Sequence, residues 1–308
     1  MIVRWGLDQL LDVLAELGIE RPFLVASPRW DPPVDVVGRW SEIPSHRAQV
    51  EHDPDGLLAM GGGSAIDTAK GLSAASGLPL VSVPTTYSGA EWTTFFGVRD
   101  PDRRMRGGGR GAHPAGIVYD VGLTVDLPRD VGGGTALNAL AHCCEALYVQ
   151  GRDPGADDVA LEGATLISSS LPRVLADGRD LDARTKLLHG AAGGGEALGR
   201  SGLALGHAMA QAIGGAYGLP HGALNAICLP PALRFNDEFV PAELLDGRAA
   251  ERAEELARLA GFTTLSALGV PEEDLARLAE AIAERPGARA NPRQATPADV
   301  ESLLRSIW

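Results

Sequence analysis

The run Gly61-Gly62-Gly63-Ser64 constrains this chain most, because it separates a short apolar segment from an amphipathic one. Residues 56–60 read as a buried strand, and the segment that follows, with Ile66 and Ala69 on one face, predicts a helix. Glycines at such a junction let a ligand approach the backbone, and the first N–H groups of a helix favour phosphate oxygens. Glycines also make plain turns, so the motif alone leaves a phosphate site and a structural turn open.

The N-terminal half alternates between strand-like and helix-like segments. Further strands are predicted at 22–26, 78–84 and 116–120, and a helix at 7–18 precedes the first of them. Residues 28–54 carry only short apolar pieces, and residues 99–116 read as a loop with a hairpin tip. Alternating strands and helices predict an α/β domain with a parallel sheet, which we place at residues 1–130.

Long helical patterns dominate from residue 131 onward, with no strand signal of comparable strength. They cover residues 135–149, 155–177, 182–198, 203–217, 246–260, 272–284 and 297–306. We therefore predict an all-helical second domain over residues 131–308.

Charge and composition exclude some classes of partner. The formal net charge of −13 disfavours binding to nucleic acid or to an anionic membrane surface. We find no apolar stretch of about 18 residues, as a membrane span requires, and no leader-like N-terminus. The three cysteines have no framework spacing, which is typical of a reducing compartment, so a cytoplasmic location is expected.

Polar residues interrupt the apolar helices of the second half. Asn138 and His142 are four positions apart and share a helix face, Glu145 follows one turn later, and His207 and His221 lie near glycines. A lone histidine in such a helix is usually structural. Three of them together are better candidates for binding a divalent metal or for acid–base chemistry near neutral pH.

Four segments together carry a resemblance to a known family. They are Gly61 to Asp67, Val83-Pro84-Thr85-Thr86, Asn138 to His142, and the pair His207 and His221. The chain resembles the iron-containing (group III) alcohol dehydrogenase superfamily and, within it, the maleylacetate reductases. The resemblance implies a dehydroquinate synthase-like fold: a Rossmann-like dinucleotide-binding domain, a helical catalytic domain, and a homodimer. It also implies NADH- or NADPH-dependent reduction of maleylacetate to 3-oxoadipate in aromatic-compound degradation.

The same resemblance assigns roles to individual residues. Gly61, Gly62, Gly63, Ser64 and Asp67 would hold the cofactor pyrophosphate. Thr85 and Thr86 would lie along the nicotinamide side, and Ser27 at the ribose end. The catalytic residues would be His142, His207 and His221.

Asn138 stands where metal-dependent members carry an aspartate ligand. A neutral amide binds a cation less well than a carboxylate, so we favour a metal-free site. If iron or zinc were bound, its ligands would be His142, His207 and His221 with Asn138.

Some residues depart from the family pattern. Gln211 replaces a usual histidine, and the segment between the strands at 22–26 and 56–60 is short. Ser27 replaces an aspartate that is common in NAD-preferring relatives, and with Arg29 nearby it admits NADPH. Arg110 and Arg152 are candidates for binding substrate carboxylates.

Three alternatives remain open. The first is a metal-dependent alcohol or aldehyde reductase of the same superfamily, acting on an aldehyde rather than an unsaturated keto-dicarboxylate. The second is a dehydroquinate-synthase-like lyase, which Asn138 and the presence of only two lysines, Lys70 and Lys186, disfavour. The third is a non-enzymatic nucleotide-binding relative.

Overall fold

The structure is a computed structural model that describes residues 1–101 and 104–308. The chain forms two compact units, Met1–Asp126 and Leu127–Trp308. The boundary between them lies four residues before the predicted one at residue 130.

The first unit is built on a six-stranded parallel sheet. Its strands are β1 (Ile2–Trp5), β2 (Pro22–Val25), β3 (Gly38–Trp40), β4 (Gly56–Gly61), β5 (Leu80–Pro84) and β8 (Pro114–Tyr119). They pair in the order β1-β8-β5-β4-β2-β3. Its helices are α1 (Leu10–Glu16) and α2 (Gly63–Ser76). The predicted parallel α/β domain is confirmed, with β1 and β3 as edge strands that the sequence pattern did not indicate.

Both faces of this sheet are covered, because alternate residues of each strand point to opposite sides. Leu58 of β4 packs with Leu10 and Val13 of α1 on one face. Leu57 packs with Ile66 and Ala69 of α2 on the other face. The central strands are therefore predominantly apolar, as expected for parallel strands with both faces buried.

The predicted hairpin is present as a separate two-stranded antiparallel sheet. It consists of β6 (Phe96–Arg99) and β7 (Met105–Gly109). Asp102 and Arg103, part of the segment predicted to form its tip, lie outside the described residues.

The second unit, all of whose residues are described, contains helices and no strand. The helices are α3 (Arg129–Ala146), α4 (Asp157–Ala176), α5 (Leu181–Ser201), α6 (Leu205–Tyr217), α7 (His221–Phe235), α8 (Ala249–Ala260), α9 (Leu275–Ala283), α10 (Pro286–Arg289) and α11 (Pro297–Ser306). The predicted all-helical character is confirmed. Helix α3 is buried along most of its length and packs against α4, α5, α7 and α8.

The sequence pattern did not indicate α7, because Pro230 and Pro231 lie inside it. Proline lacks the N–H that would bond the preceding turn, so a proline pair argues against a helix. The helix forms because most of its residues from Ala223 to Leu233 are buried against its neighbours. Within residues 1–101 and 104–308, no helix is both long and apolar enough to cross a membrane.

Candidate active site

The glycine run lies where β4 ends and α2 begins. Gly61 has a φ of +155°, which side chains rarely adopt, and a Cβ added to Gly62 would lie 2.8 Å from Thr86 Cγ2. No side chain caps the first turn of α2. This helix start, with glycine at positions that have no room for a side chain, has the features of a phosphate-binding turn.

Thr85 and Thr86 follow the next strand, β5, and lie beside the glycine run. The Thr85 N–H donates to the Gly61 carbonyl at 3.0 Å. The Thr86 hydroxyl is buried and has no hydrogen-bond partner, so it remains available to a ligand. Ser27 follows β2, which pairs with β4, so these residues lie at the same carboxyl edge of the sheet.

Asp67 is already engaged in contacts within the first unit. Its carboxylate is 3.0 Å from Lys70 Nζ and accepts a hydrogen bond from the Gly97 N–H at 3.2 Å. Lys70 is itself buried and donates to the carbonyls of Ala90 and Phe95. These contacts tie α2 to the segment around the hairpin, and the role of Asp67 at the pyrophosphate stays a prediction.

In the second unit, α3 and α7 approach each other through glycine. A Cβ added to Gly222 would lie 2.5 Å from the carbonyl carbon of Gly134. Polar side chains near this crossing are therefore brought into hydrogen-bonding range. These are Asn138 and His142, one and two turns after Gly134 on α3, and His221 and Asn225, which flank Gly222 on α7.

A chain of amide hydrogen bonds links the two helices. Asn225 Nδ2 donates to Asn138 Oδ1 at 2.6 Å and is 2.9 Å from His221 Nε2. Asn138 Nδ2 lies 3.3 Å from His142 Nε2. Since an amide nitrogen only donates, the pattern assigns both Nε2 atoms as acceptors and leaves His142 and His221 neutral.

His207, on α6, has a different partner. Its Nδ1 is 2.7 Å from Glu145 Oε2, and the same carboxylate accepts the N–H groups of Ala204 and His207. Glu145 and His207 are both almost fully buried. A carboxylate at Nδ1 fixes the ring orientation and points Nε2 away from Glu145. His207 Nε2 is buried and has no protein partner.

The three predicted histidines lie together. The rings of His142 and His207 stack with centroids 4.8 Å apart, and those of His207 and His221 are 5.8 Å apart. Burial, with the neighbouring His207 and His221 as smaller contributions, holds the pKa of His142 well below its usual value of 6.5. The Glu145 carboxylate, at hydrogen-bonding distance from His207 Nδ1, would stabilise a positive charge on that ring.

The sequence reasoning missed Asn225 and the function of Glu145. Asn225 follows His221 by four positions, the same spacing that joins Asn138 to His142, so this signal was present in the sequence. The pairing of Glu145 with His207 joins residues 62 positions apart and depends on how α3 packs beside α6.

Comparison with known proteins assigns the chain to a family. Residues 5–120 match the model for iron-containing alcohol dehydrogenase, and residues 134–308 match the C-terminal model of the Fe-containing alcohol dehydrogenase family. The chain belongs to the iron-containing alcohol dehydrogenase family. It is therefore an oxidoreductase that acts on a small molecule.

The most similar relatives include maleylacetate reductases. The chain is 34% identical to maleylacetate reductase 1 of Rhodococcus opacus over 310 residues, covering 98% of this chain and 84% of the relative. It is 33% identical to maleylacetate reductase 1 of Cupriavidus pinatubonensis, covering 96% and 90%. The crystal structure of maleylacetate reductase from Rhizobium sp. strain MTP-10005 matches with a TM-score of 0.86 at 28% identity, covering all of this chain and 95% of that one.

The family name raises the question of whether these residues fit an iron or other divalent ion. The Nε2 lone pairs of His142 and His221 face amide N–H groups, and Asn138 is a neutral amide. Across the described parts of the chain, no group of three or more His, Cys, Asp and Glu side chains is placed to hold a metal ion. The arrangement in this structure therefore does not fit a metal.

The first unit has features that suit the pyrophosphate of a dinucleotide. Glycine at positions 61–63 leaves the backbone at the start of α2 without covering side chains, and the buried Thr86 hydroxyl beside it has no partner.

Proposed function

We propose that this protein is an NAD(P)H-dependent maleylacetate reductase, which reduces maleylacetate to 3-oxoadipate. The observation that carries the proposal is the buried Glu145–His207 pair with its unpartnered Nε2, beside histidines whose Nε2 atoms accept amide hydrogens. The named relatives in Rhodococcus opacus and Cupriavidus pinatubonensis support the same substrate.

The first unit would hold the cofactor. Backbone N–H groups at the start of α2 and the Thr86 hydroxyl would bind the pyrophosphate, while Ser27 leaves room at the ribose end for either NADH or NADPH. The reduced nicotinamide supplies a hydride when it is bound.

His207 would manage the proton in this reaction. Reduction of an alkene conjugated to a carbonyl places negative charge on the carbonyl oxygen, and a carbon atom then needs a proton. Protonated His207 carries an N–H at Nε2, and the Glu145 carboxylate stabilises the imidazolium and holds the ring in position. His142 and His221 would shape the polar wall around it, since their Nε2 atoms are already acceptors.

Steady-state kinetics on protein dialysed against a chelator tests the proposal. We expect NADH or NADPH oxidation with maleylacetate to proceed without added metal. The variant His207→Ala should lower kcat by on the order of a hundredfold or more, whereas His189→Ala, at an exposed site on α5, should not. Unchanged turnover in His207→Ala would remove that residue from the mechanism.

The same experiment separates the alternative within the family. No turnover of maleylacetate, together with reduction of simple aldehydes only after addition of iron or zinc, would identify a metal-dependent alcohol or aldehyde reductase.

A further inference from the structure

A cationic side chain with no carboxylate partner lies beside the helix that carries His207. Arg285 stands between α9 and α10, and its Nη1 contacts Gln211 Oε1 at 3.5 Å. The neighbouring Glu284 pairs with Arg289 instead. Among the ion pairs found in residues 1–101 and 104–308, none involves Arg285.

This arginine is also half-buried, and burial lowers the pKa of its guanidinium. The contrast with the sequence-based candidate Arg152 is clear, since Arg152 is neutralised by Asp157. A guanidinium that has lost part of its hydration and contacts only a neutral amide retains donors for an anion.

The position of Arg285 is fixed by close backbone packing. A Cβ added to Gly287 would lie 2.7 Å from the Ala204 carbonyl oxygen, so the segment that carries Arg285 lies directly against the start of α6. The Ala204 N–H donates to Glu145 on the other side. One short stretch of backbone therefore positions both the Glu145–His207 pair and Arg285.

Gln211 and His207 are four residues apart on α6 and share a face, with about 6 Å between side chains at that spacing. One turn further, a Cβ added to Gly215 would lie 3.9 Å from Arg285 Nη2, so no side chain stands between the guanidinium and this part of the helix. Arg285 therefore lies beside the stretch of α6 that begins one turn after His207.

We infer that Arg285, oriented by Gln211, binds a carboxylate of the substrate. The inference rests on the proposed function, because maleylacetate carries two carboxylates and a reductase of uncharged aldehydes would need no such partner. The planar guanidinium fork matches a carboxylate in two parallel hydrogen bonds, which orients the substrate as well as attracting it.

Substitution of Arg285 tests the inference, with Arg289→Ala on the neighbouring helix as the matched control. Arg285→Ala should raise KM for maleylacetate roughly 10- to 100-fold, as expected for loss of a hydrogen-bonded charge pair. Millimolar guanidinium chloride should restore part of the lost activity, and Arg285→Lys should fall between Arg285→Ala and wild type.

A second variant keeps Arg285 but gives its guanidinium a carboxylate partner within the protein. Gln211→Glu places a carboxylate in contact with Arg285, so KM for maleylacetate should rise although the guanidinium is retained. An unchanged KM in both Arg285→Ala and Gln211→Glu overturns the inference and leaves the proposed function intact.

Calorimetric titration with adipate, a saturated dicarboxylate, separates the two proposals. Wild-type protein that binds adipate through Arg285 but does not reduce maleylacetate would support the arginine site and reject the proposed substrate. Wild-type protein that neither reduces maleylacetate nor binds adipate would reject both.

Discussion

Replacing Glu145 by glutamine is the sharpest test of how the second unit holds His207. Glu145 is fully buried and accepts three hydrogen bonds: from Ala204 N at 2.8 Å, His207 N at 3.2 Å and His207 Nδ1 at 2.7 Å. A glutamine has one oxygen and one NH₂ group, so at least one of these donors must face another donor.

The least costly orientation keeps the amide oxygen at the Oε2 position, where it accepts from Ala204 N and His207 Nδ1. The His207 N–H then loses its partner, which costs about 1–3 kcal/mol for a buried group. The remaining bond to His207 loses its charge assistance, which costs about 1 kcal/mol more. We therefore expect the free energy of unfolding to fall by about 2–4 kcal/mol, a large share of the stability of a typical domain.

Activity should fall further than stability suggests, because the imidazolium of His207 loses its counter-charge. We expect kcat to drop by on the order of 10²–10⁴. Urea unfolding followed by helical circular dichroism gives the stability, and cofactor oxidation gives kcat. Glu280→Gln, at an exposed site on α9, is the control and should change stability by less than about 0.5 kcal/mol. A Glu145→Gln protein within the same margin and with wild-type kcat would refute this account of the pair.

Two further predictions concern the fold around the sites. Gly222→Ala places a Cβ 2.5 Å from the Gly134 carbonyl carbon and should lower the free energy of unfolding by about 3 kcal/mol. Gly132→Ala is the control and should be tolerated, because the nearest neighbour of its Cβ would lie at 3.8 Å. Equal melting temperatures of the two variants would contradict the close crossing. Burial raises the pKa of Glu91 above its usual 4.5, although a hydrogen bond from Tyr119 acts in the opposite direction. The folded state therefore binds this proton more tightly than the unfolded state does. Stability is lost as the pH rises through the folded-state pKa. The free energy of unfolding of Glu91→Gln, measured with urea, should therefore fall less than that of wild type as the pH rises above 4.5. An identical loss in both proteins would contradict the prediction.

Much of the fold could be predicted because its signals are local. The central strands β2, β4 and β5 carry apolar residues on both faces. Thr296 stands directly before the predicted helix at 297–306 and forms a capping box with Asp299 in its first turn. The edge strands β1 and β3 gave no such signal, since each is short and pairs on one side only. Helix α7 was not predicted because it contains two prolines, which destabilise a helix. Burial of its side chains offsets that destabilisation, and no local sequence pattern reveals the burial.

The candidate site was predictable only in part. The four-residue spacing of Asn138 and His142 can be read from the sequence, and helix geometry predicts that side chains at this spacing are in contact. Glu145 with His207, and Arg285 with Gln211, each join helices whose packing depends on many distant residues. Position in sequence pointed instead to Arg152, which is neutralised by Asp157.

The crossing of α3 and α7 at Gly134 and Gly222 bears on how the protein can be redesigned. Helices kept apart by side chains shift whenever a residue between them changes size, but here main-chain atoms set the distance. We therefore expect volume changes at buried neighbours such as Leu137 and Leu224 to lower stability more than they alter the spacing of α3 and α7 at this crossing. A programme of substrate-pocket engineering should hold the two glycines constant and vary the apolar shell around them.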